Sequence, residues 1–274
     1  VRRGWIAAGM AVMVTLTGCS GGADEKVTET VQAVVARDYV ALGDSYAAGL
    51  GGGDYADTSC LQSKDKSYPQ LWIEDKGTTA LGATVNNACS GALIGTVRSR
   101  QLTALNEQTG YVTVTVGGND AGFVATLQQC ILGSDKTCAD SVKLAVDTMD
   151  KTLPTGLDGL YTEIREKAPN AKVYVLGYPH LVADPGNGVK CDSLVDARRK
   201  TLNEASDTLS EVIASAVSKH PGFTYVDARV IFAGHEACTK EPWIHSVADN
   251  VSESFHPNAD GYKAYAKVLL SVTG

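Results

Sequence analysis

Apolar positions along the chain alternate between two patterns. Short runs with an apolar or β-branched residue at nearly every position, Tyr39 to Leu42, Thr84 to Asn86, Tyr111 to Val116, Lys172 to Leu176 and Phe223 to Val226, predict strands buried on both faces. Longer stretches between them repeat at helical spacing. Ser141 to Ala168 carries Val142, Ala145, Val146 and Met149, then Leu157, Leu160 and Ile164, with an interruption around Pro154. Asp192 to Lys219 does the same with Leu194, Leu202, Leu209, Val212, Ile213 and Val217, and a closing helix is predicted from Asn258 to Val272, entered through His256-Pro257-Asn258. Strand followed by helix, repeated in this way, predicts an α/β fold with a parallel sheet covered on both faces.

The first residues follow neither pattern. Arg2 and Arg3 precede an uncharged run from Trp5 to Leu16, twelve residues long, shorter than the ~20 that cross a bilayer. Residues 1–18 therefore read as a signal peptide, and Leu16-Thr17-Gly18-Cys19 resembles a bacterial lipobox, with Cys19 as the lipidated residue. The paired arginines match the twin-arginine pattern only in part. Residues 19–37 are rich in Gly, Ser, Thr, Glu and Val without a period, as suits a lipid-anchored tether. Residues 38–274 make the folded domain.

Composition narrows the function. Of 274 residues, 44% are hydrophobic and 20% charged, enough apolar material for one core, and the net charge of −7 excludes a phosphate-neutralising nucleic-acid binder. Setting Cys19 aside leaves six of the seven cysteines, an even number as expected outside the cytoplasm. Of their fifteen pairings, the one that joins sequence neighbours is Cys60–Cys89, Cys130–Cys138 and Cys191–Cys238. A metal site built on His235, Glu236 and Cys238 lacks the paired ligand motifs such sites use, so no metal is expected.

Ligands of parallel sheets bind beyond the carboxyl ends of the strands, so the residues that follow each strand carry the chemistry. After the first come Gly43-Asp44-Ser45-Tyr46, with Ser45 at a helix start suited to a nucleophile. Beyond the second lie Ala88-Cys89-Ser90-Gly91-Ala92, and beyond the third Gly117-Gly118-Asn119-Asp120, which offer a backbone N–H at Gly91 and a carboxamide at Asn119. His256 precedes the last helix. Each alone has a plain structural reading as a cap, turn or packed side chain. Together they supply a nucleophile, two oxyanion donors and a general base.

In these residues the chain resembles the SGNH or GDSL hydrolases, and more narrowly their secreted actinobacterial lipase and esterase branch, from Tyr39 to about Val268. The resemblance implies a flavodoxin-like three-layer sandwich with a five-stranded parallel sheet, the neighbour-paired disulfides, and a serine ester hydrolase that needs no cofactor. It implies Ser45 as nucleophile, His256 as base, and the Ser45 N–H, Gly91 N–H and Asn119 carboxamide as oxyanion hole. The wider family places Asp three residues before the His, where this chain has Glu253. In the narrower branch a main-chain carbonyl serves, so the Ser254 carbonyl is favoured, with the Glu253 carbonyl or side chain as alternatives. Tyr46 stands where the family motif has Leu, with no effect expected on the nucleophile. Lipase, carboxylesterase and phospholipase A activities all fit; a carbohydrate O-acetyl esterase or a catalytically silent membrane-tethered lipoprotein are the alternatives. Gly49 to Gly53 read as a flexible rim loop, Phe123 and Trp243 as acyl-pocket or packing residues, and His180 and His245 as weaker base candidates. The expected place of work is extracytoplasmic, on a lipid or small-ester substrate, with the membrane reached through Cys19.

Overall fold

Strand β1 (Arg37–Gly43) is buried from Tyr39 to its end, because Val40, Ala41 and Leu42 sit between layers on both faces. In the computed structural model, which describes residues 36–77, 80–186, 188–191 and 194–274, it is followed by a one-turn helix, α1 (Ser45–Ala48). Next come a two-stranded antiparallel ribbon, β2 (Tyr55–Asp57) and β3 (Gln62–Ser63), then α2 (Tyr68–Lys76) and β4 (Leu81–Asn86). The short α3 (Ile94–Thr96) leads to β5 (Thr109–Thr115) and then to α4 (Phe123–Leu132), α5 (Asp135–Lys151) and α6 (Leu153–Lys167). Strand β6 (Lys172–Leu176), α7 (Asp196–Val217), β7 (Phe223–Val226), α8 (Ala228–Phe232) and α9 (Ala259–Thr273) complete the chain. The expected signal peptide, Cys19 and the expected tether up to residue 35 lie outside the described residues.

Five strands form one sheet in the order β4-β1-β5-β6-β7, with every neighbouring pair parallel. Counted within that sheet the order is 2-1-3-4-5, the flavodoxin-like winding, and its direction reverses between β1 and β5. Helices α2, α8 and α9 pack together on one face, where Trp72 meets Tyr39 and Tyr111 of the sheet at 4.6 and 5.6 Å between ring centres. On the other face lie α5, α6 and α7, with α4 against α5. The fully buried Leu157, Leu160, Tyr161 and Ile164 fill α6's inner side.

The helical stretch from Ser141 to Ala168 is two helices meeting at Thr152, and Pro154 sits in the first turn of the second, where its missing N–H costs nothing. The first helix begins earlier than its apolar period suggests, because Ser134 caps it by accepting from the Thr137 N–H at 3.2 Å. The ribbon β2–β3 has no counterpart in the sequence pattern, as strands of three and two residues are too short to show an alternation. Disulfides join Cys60 to Cys89, Cys130 to Cys138 and Cys191 to Cys238. The first ties the ribbon to the loop after β4, and the second clips α4 to α5 across the Gly133-Ser134 turn.

Candidate active site

The turn from β1 into α1 is built by crowding. Gly43 has φ +133°, and a Cβ there would lie 2.1 Å from the Thr115 carbonyl oxygen, so only glycine lets β1 and β5 approach this closely. Gln101 holds the same residue from both sides, its Oε1 accepting from the Gly43 N–H at 2.7 Å and its Nε2 donating to the Gly43 carbonyl at 2.9 Å. Asp44 caps α1 by accepting from the Tyr46 N–H at 3.0 Å, and its other oxygen accepts from the Tyr178 hydroxyl. Burial pushes the Asp44 carboxyl up to about 7, against the pull of those two bonds. Ser45 is thereby held as the first residue of the helix, 8% exposed.

Two further loops converge on it. After β4 the Cys89 N–H donates to the Gly43 carbonyl at 3.0 Å and the Ser90 N–H to the Cys60 carbonyl at 2.9 Å, so the disulfide and the main chain fix the same loop. Gly91 follows at φ +78°. Beyond β5, the Asn119 carboxamide donates to the Ala92 carbonyl at 3.1 Å, and Asp120 accepts from the Ile94 N–H at 3.1 and 3.2 Å. These bonds lock the Gly91 and Asn119 loops to each other, and an amide with two hydrogens retains one for a ligand.

His256 enters from the segment before α9. Its Nε2 lies 2.8 Å from Ser45 Oγ, and its Nδ1 lies 3.0 Å from the Ser254 carbonyl oxygen. A carbonyl only accepts, so Nδ1 carries the proton and Nε2 presents its lone pair to the Ser45 hydroxyl. Burial brings the imidazole down to about 4, against the opposing pull of the Ser254 carbonyl, so at neutral pH it is an uncharged proton acceptor. The Glu253 carboxylate is engaged elsewhere, accepting from the Tyr55 hydroxyl at 2.7 Å and Asn250 Nδ2 at 2.9 Å. Its backbone carbonyl accepts from the His256 N–H at 3.1 Å.

The remaining sequence candidates make other contacts. His180 Nε2 is 2.8 Å from Asp207 Oδ1, and His245 donates from Nε2 to the Gly51 carbonyl at 2.9 Å. His235 stacks on Trp243 at 3.6 Å, and Cys238 is bonded to Cys191, which occupies the residues of the metal alternative. Trp243 also packs on Phe232, whereas Phe123 lines the cleft beside Ser45. The Gly49 to Gly53 segment is not a loose rim. Leu50 accepts from the Tyr262 hydroxyl at 2.6 Å, and a Cβ on Gly51 would lie 2.5 Å from the Pro257 carbonyl. Sequence reasoning missed Gln101, Tyr55 and Tyr178; of these only Tyr178, two residues beyond β6, stood at a strand end where it invited attention.

Ser45 and His256 open into a cavity of about 800 Å³. Its lining includes Phe123, Leu127, Ile131 and Leu132 of α4 together with Val247 and Val251. Leu132 is 84% exposed and Val251 73%, so the apolar lining continues out to the mouth.

The chain is similar in sequence and in fold to known proteins. Residues 41–264 match the model of the GDSL-like lipase/acylhydrolase family. Lipase 1 of Streptomyces coelicolor is 42% identical over 264 residues, 95% of this chain and 93% of that protein. Among solved structures, phospholipase A1 of Streptomyces albidoflavus NA297 superposes with a TM-score of 0.81 at 38% identity, covering 86% of this chain and 99% of that one. The extracellular lipase of Streptomyces rimosus gives 0.79 at 42% identity over the same shares.

Two expectations follow from the imidazole. Because a proton is taken up only near pH 4, 15N NMR of the His256 ring should report the neutral Nδ1–H tautomer from about pH 7 to 5 and titration only near 4, a readout that separates the ring from the neighbouring Asp44 carboxyl, which titrates near 7. An imidazole titration centred near the free value of about 6.5 would contradict the desolvated, neutral state. Glu253→Gln should keep turnover within about tenfold of the parent, since the carboxylate faces Tyr55 and Asn250; a loss of about 10³-fold or more with the fold intact would assign the carboxylate to His256 instead.

Proposed function

The chain belongs to the GDSL-like lipase/acylhydrolase family and is a serine ester hydrolase, and from that premise we propose that Ser45 is its nucleophile, His256 its general base, and acyl lipids its substrates. The observation that carries this reading is the Ser45–His256 hydrogen bond of 2.8 Å opening into an apolar cavity of about 800 Å³.

In the first step Ser45 Oγ attacks the ester carbonyl carbon while its proton passes to His256 Nε2. Positive charge then appears on a half-buried, poorly solvated ring. The Ser254 carbonyl dipole, bonded to Nδ1, stabilises it without placing a full negative charge in the interior. The carbonyl oxygen becomes an oxyanion, for which the Ser45 N–H, the Gly91 N–H and the free amide hydrogen of Asn119 are the assigned donors; losing one such donor costs about 10² to 10³ in turnover. As the tetrahedral adduct collapses, His256 returns the proton to the leaving alcohol, and acyl-Ser45 remains. Water, deprotonated by the same imidazole, releases the acid by the reverse sequence.

The cavity argues for long acyl chains over acetate. Each methylene removed from water contributes about 0.8 kcal/mol, so an aliphatic wall rewards every added carbon, whereas an acetyl group leaves most of it unfilled. The similarity to a phospholipase A1 brings phospholipid esters within the same proposal. Hydrolysis of p-nitrophenyl esters from acetate to palmitate, and of phosphatidylcholine, tests it beside Ser45→Ala. Activity should vanish in the variant, and kcat/KM should rise from acetate to medium or long chains. Acetate alone being cleaved would favour the sugar-deacetylating reading, and no hydrolysis by folded protein would favour the silent lipoprotein.

Extracytoplasmic location belongs to the same proposal, with residues 1–18 as signal peptide and Cys19 as the lipidated tether end. Supporting it are the three disulfides, at home in an oxidising compartment, and the extracellular character stated for the similar lipase of Streptomyces rimosus. Among the described residues no helix is long and apolar enough to cross a membrane. Radiolabelled palmitate should enter the full chain and not Cys19→Ala; equal labelling of the two would refute the anchor.

A further inference from the structure

Tyr46 follows the nucleophile directly, and its buried hydroxyl donates to the Phe255 carbonyl at 2.7 Å. Phe255 immediately precedes His256. One hydrogen bond thus joins the residue after Ser45 to the residue before its partner, across 209 positions of sequence. Phe255 adopts φ +58°, the left-handed region that a bulky side chain disfavours, so this turn is held by its surroundings and not by its own preference.

That turn decides where the imidazole sits. In a triad with a carboxylate, the acid side chain can adjust to the ring. Here the acceptor for Nδ1 is the Ser254 main-chain carbonyl, so whatever holds the backbone of residues 254–256 orients the ring. On one side the main chain is anchored to His245, which donates its N–H to the His256 carbonyl at 2.9 Å and accepts from the Phe255 N–H at 3.0 Å. Tyr46 secures the Phe255 carbonyl. Its ring lies 5.2 Å from the imidazole and 5.1 Å, edge on, from Tyr178, whose own hydroxyl bonds Asp44 on the other flank of Ser45. A leucine at position 46, as in the motif that names the family, would lack the hydroxyl.

We propose that Tyr46 is a positioning residue for the general base: through the Phe255 carbonyl, its hydroxyl fixes the backbone turn from which Ser254 orients His256. The proposal rests on the reading of Ser45 and His256 as nucleophile and base.

Tyr46→Phe removes the hydroxyl and keeps the ring. With p-nitrophenyl octanoate, kcat should fall about 10- to 100-fold while KM stays unchanged, since the base is displaced and the acyl wall is not. Phosphonylation of Ser45 by a fluorophosphonate should slow by the same factor, because it draws on the same Ser45–His256 pair. Tyr46→4-aminophenylalanine, which restores a neutral donor at the ring's para position, should recover most of both rates. Parent-like kcat in Tyr46→Phe, a KM that rises in step with the loss, or a variant already unfolded at the assay temperature would each overturn the proposal, the last by showing that the hydroxyl serves the fold. His256→Ala, measured alongside, separates the two layers. Full activity in it removes the base assignment and this proposal together, whereas an inactive His256→Ala beside an unaffected Tyr46→Phe removes only the role of Tyr46.

Discussion

A single hydrogen bond, Ser45 to His256, joins residues 211 positions apart, and much of the local architecture serves to keep its two ends in place. Reaction geometry tolerates errors of about half an ångström, which loops do not hold unaided. The bracing is accordingly dense. Gln101 grips Gly43, the Cys60–Cys89 disulfide and the Cys89 N–H fasten the loop after β4 to β1, and Asn119 and Asp120 stitch that loop to the one after β5. The glycine-rich segment after α1 is drawn into the same frame by Tyr262, by His245 and by Tyr55, whose hydroxyl accepts from the Gly51 N–H at 3.0 Å and donates to Glu253.

The burial that makes this frame rigid also sets its electrostatics. Out of water, His256 stays neutral far below its ordinary range, and Asp44 is carried up towards neutrality beside the hydroxyl of Tyr178. An isolated carboxylate on Nδ1 would have to be desolvated at considerable cost. A main-chain carbonyl supplies the acceptor with no net charge, while Glu253 remains at the partly exposed edge as a structural tie. This solution transfers the demand for accuracy from a side chain to the backbone.

In the proposed reading, the apolar wall contributed by α4 connects this frame to substrate. Cys130 pins the helix to Cys138 of α5, while Leu127, Ile131 and Leu132 are left to the cleft. Packing against α5 on one side and an aliphatic surface on the other is what the proposed acyl wall requires, and the helix lies directly beyond the Asn119 loop, so that wall and the proposed oxyanion donor share one connection.

Strands β1, β4, β5, β6 and β7 and their parallel sense were legible because buried strands and amphipathic helices leave their period in consecutive residues. That Ser45, Gly91, Asn119 and His256 line one cleft was legible for a related reason, since strand ends and helix starts converge at one edge of a parallel sheet. The ribbon β2–β3 was not, its strands being too short to show an alternation, nor was the packed state of Gly49 to Gly51, which depends on partners distant in sequence, whereas the split at Thr152 was foreshadowed by Pro154. Distant partners also hid Gln101, Tyr55, Tyr178 and the hydroxyl of Tyr46, which bond groups 58, 198, 134 and 209 residues away. Local sequence determined the elements and the residue types at their ends, because those follow from short-range periodicity and turn chemistry. Which carbonyl orients His256, and what holds that carbonyl still, was decided only when folding brought separate loops within hydrogen-bonding distance.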